Sequence, residues 1–259
     1  MSSTILVQDD VVGDGAVVRA VTLCQPARRN ALTPTMLLQL IEALPKAPSS
    51  SSQPVRAVVL EGAEGTFSSG FDLSALSPFD EDDGLRVVDP ITPAADALER
   101  CPVPVVCAID GSCFGGAVEL AAACALRVAS TTATFCIPAV RLGLVYPATG
   151  LRRLRRTLGR NVERVLLVGR PFSAVQAQSW GLVHDVVDDA RGQARSIARV
   201  LARNAPLAVS GTIAALAVID KGGSDDVIEG IRRNTLESAD LLEGVAAHRE
   251  KRPPKFGGR

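Results

Sequence analysis

The run from Ile109 to Cys124, IDGSCFGGAVELAAAC, constrains this chain more than any other part of it. An apolar strand candidate, VPVVCAI, leads through a glycine-bearing turn into a helix whose first turn carries one carboxylate, Glu119, among small apolar residues. Helix N-termini present unpaired backbone N–H groups and a partial positive charge, so a turn of this kind favours an anion, including an oxyanion that develops during a reaction. Gly116 and Glu119 are three residues apart, which places an approachable backbone amide and a carboxylate on one helix face. This is half of an active site.

Composition narrows the rest. The 28 Lys+Arg and 28 Asp+Glu residues cancel, which leaves no global field for nucleic acid, and seven Phe, one Tyr and one Trp are few for stacking on bases. A nucleic-acid partner is therefore not expected. With 259 residues and 47% hydrophobic content, the chain can bury a full core as one large domain or as a domain with an appendage. The opening MSSTILVQDD has no basic segment followed by an apolar run, and no stretch of about 18 residues is free of charge. A cytoplasmic protein with no membrane partner is the expectation.

Six cysteines, Cys24, Cys101, Cys107, Cys113, Cys124 and Cys136, form no CxxC pairs and mostly have apolar neighbours, so they read as small core residues rather than as zinc ligands or a disulfide framework. The two histidines, His184 and His248, stand beside neither a candidate nucleophile nor a second ligand. A Ser-His-Asp triad and a multi-histidine metal site have little to draw on.

Along the chain, β-rich apolar runs at 16–23 (AVVRAVTL), 55–62 (VRAVVLEG) and 104–110 (PVVCAID) alternate with helical patterns, which argues for a βαβ-type sheet. From Ala148 onward the pattern is mostly helical, with long Ala-rich segments at 190–202, 206–220 and 225–247. PKAPSSSSQP (45–54) reads as a flexible connection and DEDDG (80–84) as a solvated acidic loop; neither resembles a domain boundary, and no internal repeat is present.

A second loop matters as much as the first. After the strand at 55–62 comes FSSGFDL, in which two serines and Gly70 interrupt the chain before a short helix opening at Asp72. An ordinary turn with Asp72 as helix cap accounts for this segment taken alone. Paired with the Gly116 turn some 45 residues later, it makes a second candidate amide-donating loop at a comparable edge of one sheet.

Six segments in order, PARRNALTPTML, GTFSSGFDL, VCAIDGSCFGGAVELAAACALRVAS, FCIPAVRLGLVYPATGLRRLRRTLG, GRPFSAVQAQSWGLVHDVV and EGVAAHREKRPPKF, give the chain a resemblance to the crotonase (enoyl-CoA hydratase/isomerase) superfamily over essentially its whole length. The resemblance implies an α/β fold made of a spiral of ββα repeats over residues 1–190, with a helical C-terminal trimerisation region over 191–259. It implies a homotrimer or dimer of trimers acting on an acyl-CoA thioester. No metal or redox cofactor is implied, coenzyme A being part of the substrate.

Carried over by position, Phe71 and Gly116 match the residues whose backbone N–H groups form the family's oxyanion hole, and Glu119 matches the first of two glutamates that handle water and proton in family hydratases. The second glutamate falls on Ala139, whose methyl group neither gives nor takes a proton. Tyr146, the only tyrosine, stands where hydratases usually have proline and where relatives similar to methylmalonyl-CoA decarboxylase place tyrosine, although those relatives carry histidine where this chain has Phe71. A phenol can orient a carboxylate or protonate an enolate. Substrate contact is implied for Arg28, Ser69, Asp72 and Leu73, while Arg28 and Arg29 read equally well as a solvated pair. RRLRR (152–156) reads as the basic face of a surface helix with Leu151, Leu154 and Leu158 behind it. KRPPKF, with Lys251, Arg252 and Lys255, is placed by the resemblance near a neighbour's CoA site.

The expected function is thus an enoyl-CoA hydratase or isomerase with Glu119 as its one matched acid/base. The alternatives are a decarboxylase or isomerase assisted by Tyr146, and a weakened paralogue that only binds acyl-CoA.

Overall fold

A computed structural model describes residues 4–13, 15–46, 54–75 and 91–259; the acidic loop 80–84 and residues 47–53 of the Pro/Ser-rich connection lie outside the described residues. The strands are β1 (Ile5–Val12), β2 (Ala16–Leu23), β3 (Val55–Gly62), β4 (Val105–Ile109), β5 (Ser112–Phe114), β6 (Leu126–Ser130), β7 (Thr134–Cys136), β8 (Phe172–Ser173) and β9 (Asp185–Val187). The helices are α1 (Pro34–Ala43), α2 (Ile91–Glu99), α3 (Gly116–Ala123), α4 (Ala148–Leu158), α5 (Asn161–Val168), α6 (Ala174–Ser179), α7 (Ala190–Arg203), α8 (Pro206–Asp220), α9 (Asp225–Leu236) and α10 (Ala239–Glu250).

β1 and β2 form an antiparallel hairpin, and β3, β4, β6 and β9 follow β2 in parallel, so the large sheet runs β1-β2-β3-β4-β6-β9. β5, β7 and β8 make a second, smaller sheet. The order of the large sheet never reverses. The chain therefore advances in one direction, leaving the large sheet for the small one after β4 and again after β6, and returning each time. This progressive winding is what the resemblance implied; hydrophobic periodicity alone finds three strands of the large sheet, β2, β3 and β4, and misses the second sheet, because β5, β7 and β8 are two or three residues long.

Strands covered on both faces are apolar throughout rather than alternating, as in β4, where all five residues of VVCAI are buried. The main core lies between one face of the large sheet and α1 to α6. The other face is covered by α7, whose Ala190, Ala194, Ala198 and Ala202 recur every fourth residue, all fully buried, and pack on a layer that includes Val59, Val106 and Val128. Alanines at that spacing form one smooth stripe that lets the helix lie close to the sheet. The boundary drawn at residue 190 falls where α7 begins, so the helical part that leaves the sheet starts with α8.

Two helical expectations are corrected. The segment 225–247 is two helices, because Ser238 caps α10 by accepting a hydrogen bond from the Leu241 N–H at 3.2 Å. In α4, the basic face is divided: Arg152 and Arg155 are exposed, but Arg153 is only 3% exposed and shares the inner face with Gly150 and Leu154. The i, i+3, i+4 spacing puts these three residues on one side of the helix. The chain's end is fastened as well: Asp240 accepts from the Gly257 and Gly258 amides, and Arg56 donates to the Phe256 carbonyl at 2.6 Å. All six cysteines are free thiols, five of them buried. Among the described residues no single helix is long and apolar enough to cross a membrane.

Candidate active site

Three loops meet at one edge of the fold. The first is the turn around Pro26–Arg28, closed by Arg29 and Asn30 in the left-handed region (φ 51° and 53°). Asn30 is fully buried; its amide donates to the carbonyls of Ala63 (2.9 Å) and Thr66 (2.7 Å), and its side-chain oxygen accepts from the Gln25 N–H. It ties the first loop to the end of β3. Sequence reading passed over Asn30, although asparagine tolerates this conformation better than most residues and its type was the available signal.

The second loop is FSSGFDL. Leu32 donates its N–H to the Gly70 carbonyl (2.8 Å) and accepts from the Asp72 N–H (3.0 Å), so Phe71 is the bridged residue and its own N–H turns away from Leu32. Ser68 pairs in the same fashion with the third loop, donating to the Ser112 carbonyl and accepting from the Phe114 N–H. Gly70 has φ 94°, and a β-carbon there would lie 2.6 Å from the Phe114 carbonyl oxygen, so only glycine fits. A β-carbon on Gly115 would be 4.0 Å from the Gly70 Cα. The two turns are therefore in contact, and Phe71 and Gly116 each follow the touching glycines by one residue. Gly116 opens α3, where the first N–H groups have no intrahelical acceptor. Among the described residues, neither the Phe71 nor the Gly116 amide has a hydrogen-bond acceptor.

Glu119 lies one turn into α3 and is 1% exposed. Arg153 meets it, with Nη1 2.5 Å from Oε1. The other guanidinium nitrogens reach α2: Nη2 is 2.7 Å from Asp96 Oδ1 and Nε is 3.0 Å from Glu99 Oε1. Glu99 also pairs with Arg156, which contacts Asp220 of α8 at 3.2 Å. Burial works to raise the Glu99 pKa, but Arg153 and Arg156 outweigh it and hold the carboxyl below its ordinary value. Burial likewise pulls the Arg153 pKa down, and Glu99, Glu119 and Asp96 more than offset it. Gly150 closes over the carboxylate from α4. Arg153 is the functional candidate that sequence reading misplaced; the isolated Glu119 in a buried helix demanded a cation, and helical spacing alone did not identify which arginine supplied it.

The remaining candidates divide. Tyr146 is half-buried against the main core in an otherwise exposed segment, and Ala139 is buried within that core. Arg28 and Asp72 are ion-paired with each other, and Asp72 also accepts from the Ser74 N–H (3.1 Å) and hydroxyl (2.7 Å). Those Ser74 bonds first, then the Arg28 charge, hold the Asp72 carboxyl below its usual range. Asp72 is thus the cap expected of it, on the short turn Leu73–Ala75. Ser69 donates its hydroxyl to the Arg28 carbonyl at 3.2 Å, and Leu73 is half exposed. Near the C-terminus, Arg252 is occupied by Glu243 and Glu250 of its own chain. His184 accepts the Arg127 backbone N–H on Nδ1 and lies outside this cluster.

On two abutting turns, amides that have no acceptor among the described residues can stabilise negative charge on a carbonyl oxygen, and a buried carboxylate three residues beyond one of them can take or give a proton. Residues 13–259 match the sequence profile described as Enoyl-CoA hydratase/isomerase. The mitochondrial enoyl-CoA hydratase domain-containing protein 2 of Bos taurus is 34% identical, covering 96% of this chain and 87% of its own. The methylmalonyl-CoA decarboxylase of Escherichia coli is 30% identical, covering 88% of this chain and 90% of its own. The crystal structure of an enoyl-CoA hydratase/isomerase family protein from Hyphomonas neptunium superposes with a TM-score of 0.87 at 31% identity, covering both chains in full. The chain, with its progressive two-sheet winding and helical C-terminal part, belongs to the enoyl-CoA hydratase/isomerase family of the crotonase superfamily.

Proposed function

We propose that this protein hydrates or isomerises an enoyl-CoA thioester, with the Phe71 and Gly116 amides as the oxyanion hole and Glu119 as the one carboxylate that moves the proton. The carrying observation is the pair of unpaired amides on touching turns, with Glu119 one turn below. Each such donor contributes roughly 3 kcal/mol to an anionic transition state when it is fixed before reaction. In hydration, Glu119 takes a proton from the water that attacks the β-carbon and returns that proton to the α-carbon of the enolate; in isomerisation, it carries one proton from the α- to the γ-carbon. A second carboxylate would add a factor of about 10² to 10⁴. Ala139 supplies none, which favours steps that a single group can perform.

Tyr146 favours a second reading. Its phenol, half-buried at the core, would orient an acyl carboxylate for loss of CO₂ and protonate the enolate that remains, and a decarboxylase is among the relatives. Arg28, Ser69, Asp72 and Leu73 would line the approach of the thioester, on the loops joined by the Leu32–Phe71 bridge.

α8 is apolar around its circumference yet contains no buried residue, which supports assembly into a trimer or dimer of trimers through this region.

Turnover of crotonyl-CoA, a 3-enoyl-CoA and methylmalonyl-CoA tests these readings. Loss of turnover in Glu119→Gln with acyl-CoA binding kept is the expected result. Binding without turnover on all three would instead make the protein an acyl-CoA carrier or sensor.

A further inference from the structure

A guanidinium enclosed by three carboxylates can serve stability alone, or it can aim one of them. The geometry around Arg153 separates its contacts by element. Asp96 at 2.7 Å and Glu99 at 3.1 Å, both on α2, accept from Nη2, and Glu99 Oε1 stands 3.0 Å from Nε, while Nη1 alone reaches Glu119 on α3. The planar fork of arginine is thus fixed by two groups that do not belong to the helix carrying Glu119, and the remaining donor is presented to Oε1 as a pre-set point. Arg153 is 3% exposed and Glu119 1%, so water is a poor substitute for this contact. Gly150, one turn before Arg153 on the same face of α4, also lies against this carboxylate.

We infer that Arg153 is the positioning residue of Glu119: anchored to α2 through Asp96 and Glu99, it sets the plane and reach of the carboxylate without touching substrate. The inference rests on the reading of Glu119 as the proton-transfer group. It requires that loss of Arg153 act on turnover far more than on substrate binding, because the residues proposed to line the thioester's approach, Arg28, Ser69, Asp72 and Leu73, lie on other loops.

The test uses the full-length chain with crotonyl-CoA and compares wild type, Glu119→Gln, Arg153→Lys, Arg153→Ala and Glu99→Gln by kcat, KM and thermal midpoint. Misplacing a reacting group by about 1 Å can cost about 10²-fold in rate. Arg153→Ala is expected to lose about that much in kcat with KM changed by less than about 3-fold, and millimolar methylguanidine is expected to recover part of the loss. Arg153→Lys, a point charge in place of a fork, should fall between the two, and Glu99→Gln should lower kcat less than either. If Arg153→Ala does not fold, Arg153→Lys and Glu99→Gln decide. Folded Arg153 variants with wild-type kcat overturn the inference while leaving Glu119 in place. Equal turnover by wild type and Glu119→Gln removes the reading of Glu119 and this inference with it.

Discussion

Gly150 of α4 faces Glu119 of α3 so closely that a β-carbon at residue 150 would lie 2.8 Å from Oε2 and 2.9 Å from Oε1 of the carboxylate. Carboxylate ends usually swing aside at little cost, but this one is held by Arg153 at 2.5 Å. A methyl group at 150 must therefore push Glu119 off Arg153 or lift the first turn of α4.

Gly150→Ala should consequently lower kcat by about 10- to 100-fold. The gain in helix propensity, about 1 kcal/mol, offsets part of the packing cost, so stability should change by less than about 2 kcal/mol. Steady-state kinetics beside a denaturant titration measures both. A variant with normal turnover would show that the carboxylate need not stay where Gly150 leaves it.

Ala139→Glu restores an acid where family hydratases have one. Ala139 is 8% exposed and packs in the main core, so the new side chain enters an apolar wall. Burial without a partner costs about 1 to 3 kcal/mol, and the variant should melt lower than the parent. Crotonyl-CoA hydration should rise by at least about 10-fold in the folded protein. Loss of stability without any gain in rate would mean that the pocket is shaped for a reaction other than hydration.

Strands β2 and β3 are legible to the residue because buried β-branched runs bounded by turn residues leave little choice of element. The family's segments likewise point to the two turns that touch at Gly70 and Gly115. What is not legible is long-range pairing: nothing local marks Arg153, rather than its neighbours in RRLRR, as the one that turns inward. That choice depends on Asp96 and Glu99, more than 50 residues earlier. Asn30 is hidden for the same reason, since its partners at 63 and 66 become neighbours only after β3 forms. Periodicity reads one face of one element, whereas the ion-pair cluster spans three helices.

His184 makes stability depend on pH. Burial, then the nearby Arg127 charge, lowers its pKa, and Nδ1 accepts a hydrogen bond that a protonated ring would refuse. Between the lowered folded value and the unfolded value of about 6.5, the unfolded chain binds more protons, so stability rises with pH there and is lost as pH falls. The thermal midpoint should decline from about pH 8 to pH 5, and His184→Gln should flatten that slope. The same substitution at His248 serves as control; an unchanged slope in His184→Gln would remove His184 from the account.

The C-terminal helices carry apolar surface that the single chain leaves uncovered: Ile219 of α8 is 59% exposed and Leu242 of α10 is 74% exposed. Scattered exposed leucines are ordinary, but α8 is apolar around its circumference with no buried residue, and a helix of that kind is normally enclosed. A second and third copy of the chain would enclose it. Sedimentation equilibrium should give a trimer or hexamer, and Ile219→Glu together with Leu242→Glu should shift the mass toward the monomer, because placing charges in a dry interface costs several kcal/mol per ion. Arg156 pairs with Asp220 at the end of α8 and also with Glu99, one member of the cluster around Glu119. Dissociation should therefore lower kcat as well as mass. A monomeric wild type with full turnover would show that α8 needs no cover and that the proton-transfer site is complete within one chain.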